Sequence, residues 1–284
     1  MHLKLNNVTF IIVCYKSENV IYKCLDSLPI NSKKILIENS RNIKLKKELE
    51  LKYDNIEVFL NDNLGMGASN NIGISRSNTD FVFILNPDTI FKPDTLDNLI
   101  NDLKQIDDFA IVSPVISNQR FPNYKGIINE NNKYQDIISV NVVDGFSMLI
   151  NKKKFQGNFF DENIFLYLEN DDLCKRAIDL GHKIYVFNSS IVDHIAASST
   201  NMNKADIEKL RNWHWMWSKF YYNRKHYGLT KALIRISPNL FSSLFKYLIF
   251  LILFNKTEKI KYYNRLAGLI CSILGKKSYY RVDN

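Results

Sequence analysis

The chain has 284 residues, 46% of them hydrophobic and 24% charged, a composition that suits one large globular domain or a domain with an appendage and leaves no case for a disordered or fibrous chain. Its 38 basic and 29 acidic residues give a net charge of +9, which favours anionic partners (nucleotides, nucleic acid or an acidic membrane surface) without choosing among them. The four cysteines, Cys14, Cys24, Cys174 and Cys271, show no CxxC pair and no zinc spacing, so a reduced, cytosolic-side protein is the simplest expectation.

The opening "MHLKLNNVTFIIVCYKSE" has a short apolar run that polar residues interrupt at once, so it reads as a buried strand and not as a signal peptide. Within it, "VTFIIVCY" (8–15) is a short apolar, β-branched run, which suits a buried parallel strand. "SENVIYKCLDSL" then puts Val20, Ile21, Cys24, Leu25 and Leu28 on one helical face, with Ser17 as the expected cap. "KKILIEN" (33–39) is a second strand, "NIKLKKELELKY" a polar helix and "IEVFLND" a third strand. "MGASNNIGISRS" is a helix entered through a glycine-rich turn, and "DFVFILNPD" (80–88) is a fourth strand. "KPDTLDNLINDLKQI" is a helix with Pro93 near its start, and "FAIVSPVI" is another strand. This βαβ rhythm predicts a mostly parallel sheet with helices on both faces, whose ligands bind at the carboxyl ends of the strands.

After about residue 200 the texture changes. "NWHWMWSKFYYNRKHYG" interleaves aromatics with bases. From Leu244 to Phe254 only Lys246 interrupts an apolar run, which is short for a membrane span of ~20 residues. That run packs on the domain or lies in a membrane interface. "KTEKIKYYNRLAGLICSILGKKSYYR" adds a basic amphipathic stretch that reads equally as a helical cap.

Four places could carry chemistry. In "FLYLENDDLCKRA" (165–177), Glu169, Asp171 and Asp172 crowd behind an apolar lead, where like charges raise one another's pKa; a solvated helix start is the plain alternative. In "FILNPDTIF" (83–91), Pro87 stops the strand and turns Asp88 toward the crevice, where a carboxylate can hold Mg²⁺ or Mn²⁺ against a diphosphate. "NLGMGASNNIGISRS" (63–77) allows close backbone approach at a helix start, though it is neither GxGxxG nor a Walker loop. His194 in "VDHIAASST" is a candidate metal ligand, with Asp193 ranked behind it.

Taken in order, "VTFIIVCYKSENVIYKCLDSL", "ILIENS", "NDNLGMGASNNIGI", "FVFILNPDT", "VDGFSMLINKKKFQGNFFDENIFLYLENDDLCKRAIDLGHKIYV" and "VDHIAASST" resemble the inverting family 2 glycosyltransferases with a GT-A fold, most closely their rhamnosyltransferase-like bacterial branch, over roughly residues 8–230. The resemblance implies an α/β fold with a Rossmann-like mixed sheet: a nucleotide-sugar-binding and catalytic domain at 1–200, and a helical, basic and apolar extension at 201–284. Cys14, Tyr15 and Glu38 would lie beside the nucleotide base, and Gly67 and Asn71 would form the nucleotide-proximal turn. Asn86-Pro87-Asp88 would stand for the DXD-type motif, Asp144 and Gly145 would lie near the donor sugar and acceptor, and His194 would complete a Mn²⁺ or Mg²⁺ shell with Asp88. The branch puts its base in an acidic cluster that here reads "ENDD". Asn170 stands where many members have the Asp usually taken as the base, and an amide cannot accept the proton. The role therefore falls to Glu169, ranked slightly ahead, or to Asp171, while Asp172 is expected to pair with Arg176.

The implied donor is a dTDP- or UDP-sugar, and the implied acceptor a glycan or lipid-linked glycan in bacterial surface polysaccharide synthesis, such as lipopolysaccharide. The implied location is cytoplasmic, with a peripheral place on the inner membrane's cytoplasmic face as an option. A scaffold of the same fold that has lost catalysis is the second reading, prompted by Asn170. A nucleic-acid binder is the third, prompted by charge and aromatics, but no recognised nucleic-acid motif is present.

Overall fold

The computed structural model describes residues 5–118, 120–128, 136–157, 159–195 and 199–282. The chain divides into two units, one formed by residues 1–161 and 170–201, the other by residues 162–169 and 202–284.

In the first unit the apolar runs become the centre of a sheet. β1 (Val8–Cys14) and β4 (Phe81–Leu85) are buried at every position, because both faces of the sheet are covered. β2 (Lys33–Glu38) and β3 (Ile56–Leu60) extend the sheet on one side, and β1, β2, β3 and β4 run parallel. Alternate residues of each strand feed opposite cores. Phe10, Ile12, Phe83 and Leu85 pack on one face, while Ile11, Val82 and Ile84 pack on the other.

The expected βαβ rhythm holds for α1 (Ile21–Asp26), α2 (Ile43–Lys52), α3 (Met66–Arg76) and α4 (Thr95–Leu103). Ser17 departs from the cap expected of it. Its carbonyl takes the Val20 and Ile21 N–H groups, while its hydroxyl donates to the Ser199 carbonyl at 2.6 Å. The hydroxyl oxygen accepts from the Tyr15 N–H at 3.1 Å and from no N–H of the helix, so it does not cap α1.

The mostly parallel sheet is also corrected. β5 (Thr89–Phe91), β6 (Ile111–Ile116), β7 (Tyr124–Ile127), β8 (Ile137–Val143), β9 (Ser147–Asn151) and β10 (Ile184–His194) complete a ten-stranded mixed sheet of order β3-β2-β1-β4-β9-β6-β10-β8-β7, with β5 paired to β10. β9 inserts antiparallel between β4 and β6, opposing Ser147 to Leu85. The start of β9 therefore lies at the edge where β1, β2 and β4 end. β6 and β10 run parallel, so His194 lies at that edge too.

α5 (Glu169–Asp179) buries Leu173, Cys174 and Ala177 in the second core. In the second unit, α6 (Lys204–Ile252) is broken at Gly228, whose φ of 80° lies in the left-handed region that glycine tolerates. α7 (Lys256–Ile273) packs along it so closely that Gly268 meets the backbone of Trp213. Trp213, His214, Met216, Trp217 and Phe220 form the interior of this unit.

Candidate active site

Asp88 follows β4 and is 2% exposed. Its Oδ1 lies 3.3 Å from Nε2 of His194, the last residue of β10, and the antiparallel pairing of β5 with β10 holds the two segments in register. The His194 ring stacks on Phe146 at 4.1 Å and an interplanar angle of 5°, which fixes the imidazole plane. Phe146 itself is placed by its carbonyl, which accepts from the Asn86 N–H at 3.0 Å and the Thr89 hydroxyl at 3.1 Å. Asn86 Oδ1 is buried and has no hydrogen-bond acceptor role filled among the described residues. Asp193, the lower-ranked candidate, is instead ion-paired with Lys92, and that pairing holds its carboxyl below the usual range.

Asp144 and Gly145 join β8 to β9, so they reach the same edge. Burial raises the Asp144 carboxyl, and Lys125 and His194 oppose the rise. Asp171, in the first turn of α5, is raised chiefly by burial; Lys125 pulls it down and Asp144 pushes it up. One electrostatic neighbourhood thus links Asp88 through His194 and Asp144 to Asp171. Lys125, an exposed residue of β7, serves both acids. Sequence reasoning missed Lys125, because a single lysine on a hairpin carries no signal without its spatial neighbours.

The acidic cluster separates into distinct environments. Asp172 is fully buried and pairs with Arg176 at 2.9 Å, as expected, and Arg176 also donates to the Phe159 carbonyl. Asn170 is 8% exposed; its Nδ2 donates to the Val143 carbonyl at 2.8 Å, and its Cβ lies 3.3 Å from the point where a Gly145 side chain would begin. Glu169 opens the same helix but groups with the second unit. Tyr167 and Leu168, just before it, have φ of 69° and 68°. Two consecutive non-glycine residues in that region concentrate backbone strain at the entrance to the cluster.

Of the nucleotide-side candidates, Cys14, Tyr15 and Glu38 lie at strand ends, and Gly67 and Asn71 lie in α3. Cys14 is the register partner of Glu38, and its carbonyl accepts from the Asn39 N–H at 2.8 Å. Burial pushes its thiol well up, so it acts as packing and not as a nucleophile. Glu38 is fully buried, and its carboxylate accepts from the backbone of Ser40 and Asn42 and from the Ser40 hydroxyl. Any contact with a base would share an oxygen already bonded to that loop. Tyr15 directs its N–H to Ser17 Oγ at 3.1 Å. Gly67 is buried in α3, and Asn71 exchanges two hydrogen bonds with the Phe160 backbone at 2.9 and 3.0 Å, tying α3 to the segment that leads to the acidic cluster.

The donor chemistry fits a divalent cation held by few protein groups. Asp88 brings a carboxylate oxygen, His194 an imidazole nitrogen and Asn86 a buried amide oxygen. No group of three His, Cys, Asp or Glu side chains that could hold a metal occurs among the described residues. A cation at a diphosphate needs only one or two such groups, since phosphate oxygens and water fill the rest.

The sequence profile of Glycosyl transferase family 2 matches residues 9–167, more than half of the chain. The chain belongs to that family. It is 26% identical over 261 residues to rhamnosyltransferase WbbL of Escherichia coli K12, covering 81% of this chain and 98% of that protein. Solved structures share its fold. GalNAc-T7 with UDP, GalNAc and Mn²⁺ aligns with a TM-score of 0.57 at 12% identity over 78% of this chain, which spans 51% of that one. S. aureus TarS 1–349 in complex with UDP aligns with a TM-score of 0.52 at 14% identity, covering 98% of this chain and 94% of that one. The fold is therefore the mixed-sheet GT-A type with a C-terminal helical region, as the motifs implied.

Proposed function

We propose that this family 2 glycosyltransferase transfers a sugar, with inversion, from a nucleoside diphosphate donor to a hydroxyl of a glycan or lipid-linked glycan in surface polysaccharide synthesis. The carrying observation is the electrostatic chain at one edge of the sheet. At one end of it are Asp88 and His194, 3.3 Å apart; at the other is Asp171, a half-buried carboxylate with a raised pKa.

Asp88 and His194, with Asn86 beside them, would hold a Mn²⁺ or Mg²⁺ ion. When bound, such an ion neutralises charge on the leaving diphosphate, so no protein acid is required there. Cys14, Tyr15, Glu38, Gly67 and Asn71 border the nucleotide, and Asp144 and Gly145 lie between donor and acceptor. Asp171 takes the proton from the acceptor hydroxyl as that oxygen attacks the anomeric carbon. Its raised pKa brings it nearer to neutrality, where a carboxylate is a stronger base. Glu169 is the other acid of this reading. Asn170 does not argue for lost catalysis, because its amide has a structural task at Val143.

The similarity to WbbL supports a deoxyhexose donor such as dTDP-rhamnose, and the UDP in the GalNAc-T7 and TarS structures supports a UDP-sugar. The location belonging to this reading is cytoplasmic, peripheral to the inner membrane. A thermal-shift screen of nucleotide sugars with Mn²⁺, followed by turnover of the donor that binds, tests it. Donor binding that requires Asp88 and turnover that requires Asp171 or Glu169 is the expected result. Binding of a nucleotide sugar with no turnover of any donor would leave the scaffold reading standing.

A further inference from the structure

Charge is distributed unevenly along this chain. Residues 209–284 hold fifteen of the 38 basic residues but only two of the 29 acidic ones, Glu258 and Asp283. That stretch carries +13, while residues 1–208 carry −4. No acid occurs between Glu208 and Glu258.

The same stretch leaves large apolar side chains in the open. On α6, Phe241, Phe245, Leu248 and Ile252 recur at four-, three- and four-residue steps, which places them on one helical face. Phe241 is 67% exposed, Phe245 66% and Ile252 73%. The opposite face carries buried Ile236 and Ser243 and half-buried Leu240, Tyr247 and Phe250; it turns toward α7, where Phe250 stacks on Tyr262 at 5.8 Å. The corner after α6 holds Phe254, 93% exposed, and exposed Lys256 lies two residues on. α7 repeats the pattern with exposed Tyr263, Ile270 and Leu274, before exposed Lys276 and Lys277.

We infer that this face of the α6–α7 unit docks onto an anionic phospholipid bilayer, its phenylalanines and leucines entering the interface and its lysines and arginines meeting the headgroups. An apolar stripe embedded in positive charge fits that surface. A second copy of the chain fits it badly, because a two-fold interface would bring the same +13 stretch against itself. Nucleic acid fits it badly as well. The aromatics of "NWHWMW" that could stack on bases are mostly interior, with Trp213, His214 and Trp217 buried, and the exposed phenylalanines are interleaved with Leu248, Ile252, Ile270 and Leu274, aliphatic side chains that cannot stack. No helix among the described residues is long and apolar enough to cross a membrane, so the contact is interfacial. The inference deepens the peripheral location and rests on it alone. Vesicle binding is read without any donor, so it can fail while the transferase reading stands, and the reverse.

The test is co-sedimentation of the full chain with phosphatidylcholine vesicles, with and without phosphatidylglycerol. Binding that needs phosphatidylglycerol and weakens with salt is expected. The triple variant F241S/F245S/I252S, at exposed positions, should lower partitioning by about tenfold or more while circular dichroism and donor binding stay unchanged. A second variant, K231Q/K256Q/K277Q, should flatten the salt dependence without touching the apolar stripe. Absence of binding to phosphatidylglycerol vesicles overturns the inference, as does partitioning that neither variant changes. It is also overturned by a wild-type dimer in light scattering that the triple variant dissociates, or by an oligonucleotide that displaces the vesicles.

Discussion

The Nδ2 of Asn170 donates to the carbonyl of Val143 at 2.8 Å, and so the first turn of α5 holds the end of the strand that delivers Asp144 and Gly145 to the site. The position where the resemblance led us to expect a carboxylate is occupied here by a hydrogen-bond donor that a carboxylate cannot replace. The consequence runs against intuition. Restoring the acid with Asn170→Asp should lower both stability and turnover, because an ionised carboxylate would be buried against a carbonyl oxygen with the donor lost. The expected destabilisation is about 1–3 kcal/mol, read from urea unfolding. An N170D variant with raised turnover and unchanged stability would show that Asn170 is a degraded base and not a clamp.

Asp171 should behave oppositely. Asp171→Asn should lower turnover by roughly 10²–10⁴-fold with donor affinity retained, the range of a lost general base. Glu169→Gln, assayed beside it, decides which acid carries the role. Stability supplies an independent sign. The folded pKa of Asp171 is raised, mainly by burial, so the folded chain binds a proton more readily than the unfolded chain does. This contribution to stability falls as pH rises from the unfolded value through the folded one. At pH 7 the carboxylate therefore opposes folding, and D171N should melt at or above the wild-type temperature, with the difference shrinking in acid. A variant that loses activity because it melts lower would point to a structural residue.

Removal of divalent cations with EDTA should abolish donor turnover, and Mn²⁺ should restore it. Asp88→Asn should weaken Mn²⁺-dependent donor binding most, and His194→Gln by about 10–100-fold, with little effect in the absence of metal. Equal donor affinity for all three proteins with and without Mn²⁺ would remove the metal from the proposal.

Gly268 admits a packing test of the helical unit. A Cβ at this position would lie 2.1 Å from the Trp213 carbonyl oxygen, which is backbone and cannot swing aside. Gly268→Ala should therefore cost at least about 2 kcal/mol, more than an ordinary helical glycine replacement, which stabilises. Wild-type stability in G268A would mean that α6 and α7 separate readily.

Legibility in the sequence followed burial. β1 and β4 could be read because every residue but Thr9 is apolar and both faces are covered, so no other element competes for those runs. β9 escaped because its five residues follow a loop closely, and the βαβ rhythm says nothing of an antiparallel strand inserted between two parallel ones. β5 spans three residues, too few for any period. At the site, Asp88 and His194 could be singled out as polar residues behind apolar runs, and the fold brings them within 3.3 Å of each other; Asp172 was legible as the partner of Arg176. Ser17 was the right residue type for a cap, yet its hydroxyl oxygen accepts from the Tyr15 N–H and from no N–H of α1. Lys125 and the task of Asn170 were invisible, because each depends on a contact that only the folded sheet creates.

His214 makes the helical unit acid-sensitive. Its ring is fully buried, with Nε2 2.8 Å from the Tyr280 carbonyl and Nδ1 2.9 Å from the Ser278 hydroxyl. A carbonyl only accepts, so Nε2 carries the hydrogen and Nδ1 accepts from Ser278, which is the neutral tautomer. Burial pulls its pKa down to about 3 from 6.5. Between those values the unfolded chain binds a proton that the folded chain refuses. The stability from the neutral ring is present in full above the unfolded value and is lost as pH falls toward the folded one, on the order of a few kcal/mol. The chain's three tryptophans, Trp213, Trp215 and Trp217, all lie in α6, so their fluorescence reports on this unit alone. The fluorescence-detected urea midpoint should fall between pH 7 and pH 5, above the range where exposed Asp and Glu titrate. His214→Gln, whose amide can keep both hydrogen bonds without a titrating ring, should flatten that dependence. A wild-type midpoint constant across the interval would mean that the buried ring is protonated without cost and that its neighbourhood is wetter than the structure describes.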